Sequence, residues 1–468
     1  MPLRFEIPMG LRARLMLSLR AIVILITLCG AALLALAPAT AQEAGGKAPT
    51  KVLYIFNGAV GSTPNTISEV YPGKFIGNTT TVFSNQGSTI FSVTAAGDAS
   101  IVYQFPALFS VGNLTPSLNG ELFGEAYPGG PQDFFTITRQ GTDLKVHQLP
   151  INMATYDSYP YFLLSPSGDF YTVLFVSTTQ QEIARVKFDG TIQVLHTFAA
   201  NEGTPDLYAG IARDAEGNFY GINDVNSNGV LSAYLYRLSA DGTFTNLVTY
   251  SGGVGPASPL VTAPDGTVYG AMAAGGPYLT GSIYKFSPST GQLTTLATFP
   301  KTGMIRPGSL LLADDGNLYG STSSLPSYFF RLNLATNQLE DLTGPLYSEA
   351  CPCPMVQGSN GKLYGISPAG GGGGGGVFFN VDAGLPPPQP MIQLFSPTQA
   401  SAGTRVELWG SNLLGATSVT FDGIAGTNVL ATTSQSVFVD VPEGATSGPL
   451  TITTPNGSFT TQQDFTVE

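Results

Sequence analysis

A six-residue phrase of the form x-Gly-x-Leu-Tyr-Gly returns seven times along this chain, and no other feature limits the fold so severely. It reads Pro72-Gly73-Lys74-Phe75-Ile76-Gly77, Asn119-Gly120-Glu121-Leu122-Phe123-Gly124 and Ser167-Gly168-Asp169-Phe170-Tyr171-Thr172. It continues as Glu216-Gly217-Asn218-Phe219-Tyr220-Gly221, Asp265-Gly266-Thr267-Val268-Tyr269-Gly270, Asp315-Gly316-Asn317-Leu318-Tyr319-Gly320 and Asn360-Gly361-Lys362-Leu363-Tyr364-Gly365. The first glycines lie 47, 48, 49, 49, 50 and 45 residues apart. A period in that range marks a repeat array, in which each copy is one supersecondary unit that buries its apolar faces against its neighbours.

The clearest copy shows what the unit is. Ser258 to Ala263 reads as a strand, Asp265-Gly266 as a turn in which glycine accepts a positive φ, and Thr267 to Ala271 as a second strand. A loop ending in Gly275-Gly276 leads to a third strand, Gly281 to Ser287, and Thr290-Gly291 turns the chain into a fourth, Leu293 to Phe299. Four short antiparallel strands per unit and seven units predict an all-β, seven-bladed β-propeller over residues 50–383. The Leu/Phe-Tyr pairs read as packing: neighbours in a strand point to opposite faces, and stacked sheets bury both.

The seventh copy ends after its third strand, at Val377-Phe378-Phe379-Asn380-Val381. Its missing fourth strand matches Lys51-Val52-Leu53-Tyr54-Ile55-Phe56, which repeats the pattern of Ile101-Val102-Tyr103-Gln104-Phe105. The N-terminal strand is therefore expected to complete the last blade and remove two open sheet edges. Gly370 to Gly376, seven glycines in the last blade, reads as a flexible loop without side-chain chemistry.

Residues 1–41 read as a signal peptide: Arg4, Arg12, Arg14 and Arg20 precede an apolar run from Ala21 to Ala37, and Ala39-Thr40-Ala41 supplies a cleavage pattern before Gln42. Two other readings of this segment stand beside cleavage: lipid attachment at Cys29, which Leu28 disfavours, and retention as an uncleaved anchor. All three imply export to a secreted, periplasmic or cell-surface location. Beyond this segment no apolar run approaches the roughly 18 residues of a membrane span. Cleavage would take the formal charge from −12 to about −15, which repels phosphate backbones and argues against nucleic acid as a partner.

Gly384 to Pro390, with four prolines, reads as a semi-rigid linker. Beyond it, 391–468 carries alternating strands at Val406 to Trp409, Ser418 to Phe421, Val437 to Val441, Leu450 to Thr453 and Asp464 to Val467, spaced as in an immunoglobulin-like β-sandwich.

Two resemblances rest on these residues. Val268-Tyr269-Gly270, Gly275-Gly276 and Gly281-Ser282-Ile283-Tyr284-Lys285-Phe286 resemble the GloVer-type repeats of exported bacterial proteins, and the likeness extends over about 50–383. Thr172 departs from that pattern by replacing the second glycine of its copy, and several copies lack the Gly-Gly pair. Phe395-Ser396-Pro397, Gly403-Thr404-Arg405-Val406, Trp409-Gly410-Ser411-Asn412-Leu413, Val419 to Gly423, Val441 to Ala445 and Gly448 to Ile452 resemble an IPT/TIG domain. That resemblance implies a module found in cell-surface receptors, exported bacterial proteins and some transcription factors; export and negative charge argue against the last role.

Catalytic residues are not evident. His147 and His196, the two histidines, occupy the fourth-strand position held by Tyr54 and Tyr103 in other copies, which points to packing and leaves no general base or zinc set. Cys351-Pro352-Cys353 is read as a possible small disulfide or as idle thiols. The loops joining strands two to three and four to one share one face and carry Asp157, Glu202, Asp206 and Glu349 with Tyr127, Tyr156, Tyr159, Tyr208, Tyr278 and Tyr347. Aromatics beside acids suit the stacking and hydrogen bonding of sugar rings. The expectation is a non-catalytic exported binding protein, without cofactor or metal. Its partner would be a surface glycan or a protein held by Tyr127, Tyr156, Tyr159, Tyr208, Tyr278, Asp157 and Asp206. The alternatives are a carboxylate-dependent glycosidase or lyase on the same face, and a structural surface component.

Overall fold

The computed structural model describes residues 48–468 apart from 81–86, 108–109, 113, 117–121, 128–132, 141–142, 149–162, 165–169, 178–179, 188–190, 207–209, 215–216, 228–229, 240, 252–255, 264, 274, 325, 344–353 and 432–435. The described residues belong to one compact unit, 43–468, and the candidate signal segment lies outside the described residues. Among the described residues every regular element is a strand.

Seven antiparallel sheets of four or five strands follow one another from Thr50 to Val381. The fifth is representative: Val261–Thr262, Val268–Met272, Ser282–Ser287 and Gln292–Thr298, each hydrogen-bonded to the next in sequence. The seventh departs from sequence order. Thr50–Ile55 pairs with Val377–Val381, in the register Thr50↔Val381 to Ile55↔Val377, and supplies the fourth strand that the last copy lacks. From the second sheet onward to the seventh, and from the seventh to the first, the first strands of neighbouring sheets touch one another.

The second strands of the fifth, sixth and seventh sheets are buried on both sides. Val268 packs into the core shared with the fourth sheet, whereas Tyr269 packs into the core shared with the sixth. Leu318 and Tyr319 split in the same way, as do Leu363 and Tyr364, the last reaching Phe75 and Phe91 of the first sheet. Burial of each such side chain contributes roughly 1.5–3 kcal/mol. The tyrosine hydroxyls are satisfied by the turn before them: Tyr319 donates to Asp315 Oδ2 and Tyr220 to Asp214 Oδ2, both at 2.9 Å.

The two glycines of the phrase have different duties. The first sits in the left-handed region, as at Gly266 (φ +80°) and Gly316 (φ +75°). The second lies opposite an aromatic residue of the third strand, whose ring crosses the glycine: Gly77↔Phe91, Gly124↔Phe135, Gly221↔Tyr236, Gly270↔Tyr284, Gly320↔Phe330 and Gly365↔Phe379. A Cβ at Gly270 would fall 2.1 Å from Tyr284 Oη, and one at Gly320 would fall 2.3 Å from Phe330 Cζ.

The glycine run is more constrained than a flexible loop. Gly376 N donates to Gly370 O and Gly374 N to Gly371 O, while Thr63 N donates to Gly375 O. Gly375 packs on Phe56 O, and Gly376 on Pro64 Cδ of the first sheet, where any Cβ would collide. Glycine is required there by close approach, although Gly372, Gly373 and Gly374 face open space.

Residues 391–468 form two further sheets. One holds Met391–Ser396, Arg405–Ser411, Ser436–Asp440 and Thr427–Ala431; the other holds Gln399–Ala400, Gly457–Val467, Gly448–Thr454, Ser418–Phe421 and Ile424–Ala425. Val406, Leu408, Val437 and Val439 from the first meet Val419, Phe421, Leu450, Ile452 and Phe465 from the second in one core.

Candidate functional site

Antiparallel order sets two ends to each of the seven sheets. Tight turns, such as those at Gly266 and Gly316, join first to second strands at one end; the longer loops between second and third strands, and between sheets, lie at the other. The loop end carries the residues that the sequence singles out.

Tyr278 is exposed (55%) in the loop between Val268–Met272 and Ser282–Ser287, and Leu279 beside it is more so (66%). Leu279 holds a left-handed φ of +54°, with its N–H donated to Gly276 O at 3.2 Å. Two residues from Tyr278, Thr280 O accepts the N–H of Arg306, which belongs to the connection entering the sixth sheet. Arg306 is exposed and also left-handed (φ +56°); Ser323 N donates to its carbonyl from the far side. A non-glycine residue with positive φ is held by its surroundings. Here backbone bonds to the fifth and sixth sheets do the holding, and they place the exposed Arg306 beside the loop that carries the tyrosine.

A second group lies where the third sheet meets the fourth. Glu202 Oε2 accepts from Ala199 N at 2.8 Å and contacts His196 Nε2 at 2.9 Å, while Glu202 O accepts from Asn223 Nδ2 at 2.7 Å. Asp206 donates its N–H to Ile222 O, and its side chain shares a hydrogen bond with Asp224. Burial pushes the Asp224 carboxyl up, and the bond from Asp206 works against that shift. Two adjoining carboxyls of this kind can hold one proton between them.

His196 has the structural duty that its repeat position suggests. It packs edge-on to Phe198 at 5.1 Å, as Tyr54 does to Phe56 at 5.1 Å and Tyr103 to Phe105 at 4.9 Å. Its other neighbour is Phe244, stacked at 4.7 Å with 5° between planes.

Of the residues expected to form a site, Tyr278, Asp206 and Glu202 are placed on the loop end, on two different sheets. Tyr127 closes the strand Leu122–Tyr127, opposite Ser110. Tyr156, Asp157, Tyr159, Tyr208, Tyr347, Glu349, Cys351 and Cys353 lie outside the described residues. Sequence reasoning missed Arg306 and Asp224. Asp224 follows Asn223 in a strand that runs beyond the repeat phrase, and two polar residues there were a usable signal. Among the described residues no three His, Cys, Asp or Glu side chains group as metal ligands.

Comparison with known proteins bears on the frame that presents these residues. Residues 134–328 match the Gloeobacter/Verrucomicrobia repeat. The repeat thus spans the second sheet to the sixth. No curated protein sequence matches the chain. Among solved structures, a catalytically inactive virginiamycin B lyase from Staphylococcus aureus, crystallised with quinupristin, aligns over 71% of this chain and 99% of its own, at 18% identity and a TM-score of 0.51. A fungal alcohol oxidase of the AA5 family, in complex with copper, aligns over 90% of this chain and 99% of its own, at 12% identity and the same TM-score. Likenesses at these identities show a shared propeller-type, all-β fold and carry no activity across.

Proposed function

We propose that this chain is an exported, non-catalytic binding protein. The seven sheets would be the blades of one propeller, its loop face the platform for a surface glycan or a protein partner, and 391–468 an immunoglobulin-like module of the IPT/TIG kind. The observation that carries this reading is the exposed Tyr278–Leu279 tip beside Arg306, whose backbone is fixed from both sides. An aromatic face and a guanidinium on rigid supports suit a sugar ring: the ring stacks on its C–H face and its hydroxyls accept from arginine. Where the third sheet meets the fourth, Glu202 is engaged by Ala199 N and His196, contacts that suit a structural role for this carboxylate.

A second reading keeps one specific observation. In the Asp206–Asp224 pair one carboxyl can hold the proton and serve a carboxylate-dependent glycosidase or lyase as general acid. A hydrogen-bonded pair is closer than the roughly 5–9.5 Å between the two carboxyls of a glycosidase, so the second carboxylate would come from elsewhere on the loop face. Structural neighbours include enzymes, and because likeness at 12–18% identity carries no activity to this chain, this reading stands behind the first.

The test is a panel of bacterial and plant polysaccharides offered to purified protein, with retention and reducing-end release recorded together. Retention without product, weakened about tenfold or more by Tyr278→Ala or Arg306→Ala, is the expected result, since one stacked aromatic contributes about 1–2 kcal/mol. Product release abolished by Asp224→Asn would install the second reading. Neither retention nor release would overturn glycan binding and leave a protein partner.

A further inference from the structure

The seventh sheet is where the array closes, and its joints depend on a strand that comes from the other end of the chain. Thr50–Ile55 is hydrogen-bonded to Val377–Val381, and the seventh sheet then packs on the first through Phe56, Phe75, Phe91, Tyr364 and Phe378. This seam is bridged at the turn end by one carboxylate. Glu69, near the end of Pro64–Tyr71, accepts from Gly73 N of its own turn at 2.7 Å. It also accepts from Ser359 N at 2.7 Å and Ser359 Oγ at 2.9 Å in the turn of the seventh sheet.

The C-terminal module lies on these same turns. Asn456, in the hairpin between Gly448–Thr454 and Gly457–Val467, donates its Nδ2 to Ser359 O at 2.8 Å. Gly415 lies against Pro72, in the turn of the first sheet. On the other side, Asp314 in the turn of the sixth sheet accepts from Gln389 N at 2.9 Å and from Asn412 Nδ2 at 3.4 Å. Asp314 N in turn donates to Gln357 Oε1 of the seventh sheet at 2.9 Å. The Pro-rich segment between the two parts is pressed onto the seventh sheet as well, since a Cβ at Gly361 would meet Leu385 O at 2.4 Å.

We infer that the C-terminal module is an intramolecular clamp: it spans the turns of the sixth, seventh and first sheets and holds shut the joint made by the N-terminal strand. It is neither a swinging spacer nor a free docking arm. Its contacts fall on the three sheets that flank the non-covalent closure, where a brace restrains the strand most easily lost. Because these contacts are at the turn end, the clamp leaves the loop end open.

The test is hydrogen exchange on the full chain carrying Asn456→Ala and Asp314→Ala together. Exchange at 50–55 and 377–381 is expected to quicken about tenfold or more, while 219–227 of the fourth sheet and 437–452 of the module keep their rates. Glu69→Gln, which weakens the seam without touching the module, serves as the positive control and should quicken the same strands. Unchanged seam exchange in the double variant, with the control responding, overturns the clamp; so does equal acceleration in the fourth sheet. If the double variant does not fold, Asn456→Ser alone is read by the same criteria.

Discussion

Thr172 lies directly opposite Ala184 on the neighbouring strand of the third sheet. In the six copies that keep the second glycine, that pair is glycine against an aromatic ring. The one copy that loses the glycine has thus also lost the ring, and the two changes compensate in volume. Thr172 and Ala184 are both fully buried.

The pairing makes a prediction about coupling. Gly270→Ala should cost about 2–4 kcal/mol, because its Cβ would meet the Tyr284 ring and a well-packed core answers overfilling with strain. Gly316→Ala, at φ +75° with nothing within 4 Å, should cost only about 1–2 kcal/mol of backbone strain. In the third sheet, Ala184→Phe alone should destabilise by about 1–3 kcal/mol, and adding Thr172→Gly should recover at least half of the loss. Urea denaturation of the two singles and the double measures this. Strict additivity would show that the two positions do not act as a pair.

The repeat phrase made these positions legible, because each of its glycines answers a local need that recurs at a fixed offset. The closure was legible for the same reason: Tyr54 and Phe56 repeat the spacing of Tyr103 and Phe105, and the paired rings pack alike. The loop end has no such period. Arg306 and Asp224 serve one copy each, so no comparison between copies could reveal them. Glu69 and Asp314 were illegible because their partners, Ser359, Gln389 and Asn412, come from segments distant in sequence.

Glu407 gives the C-terminal module a pH-dependent stability. It lies on the outward face of Arg405–Ser411, opposite Phe438 and Ser396 on the flanking strands, and accepts from Ser436 Oγ at 3.1 Å. Burial pushes its carboxyl from the usual 4.5 up to about 7, against the opposing effect of Ser436 and Trp409. A folded-state value above the unfolded one means that the neutral form is preferred on folding. Its contribution is therefore complete below about pH 4.5 and lost as pH rises through 7. Partial exposure reduces the effect to about 1–2 kcal/mol. Denaturation midpoints should fall between pH 5 and pH 8 by that much more in the wild type than in Glu407→Gln; parallel profiles would contradict the assignment.

His196 and Glu202 separate packing from chemistry. The imidazole is stacked on Phe244 and tied to Glu202, so His196→Ala should destabilise by about 1–3 kcal/mol. His196→Tyr, which restores the residue type of the equivalent positions, should recover most of that. Neither change should alter retention on any polysaccharide that the wild type binds. A loss of binding or turnover in His196→Tyr at unchanged stability would assign the histidine a functional part.

The closing strand should control whether the array melts as one body. Phe56 is fully buried, packs edge-on to Phe91 at 4.9 Å, and donates its N–H to Gly376 O. Phe56→Ala should cost about 3–5 kcal/mol, the loss expected for a large aromatic removed from a core. Deleting 51–57 removes all of the closing strand but Thr50 and leaves Val377–Val381 as an exposed apolar edge, which invites association between chains. The deleted protein should lose its sharp thermal transition and elute as aggregates in size-exclusion chromatography. A monomeric, cooperatively melting deletion would mean that the sheets hold together without closure, and that the pairing of Lys51 to Ile55 with Asn380 to Val377 is incidental to the fold.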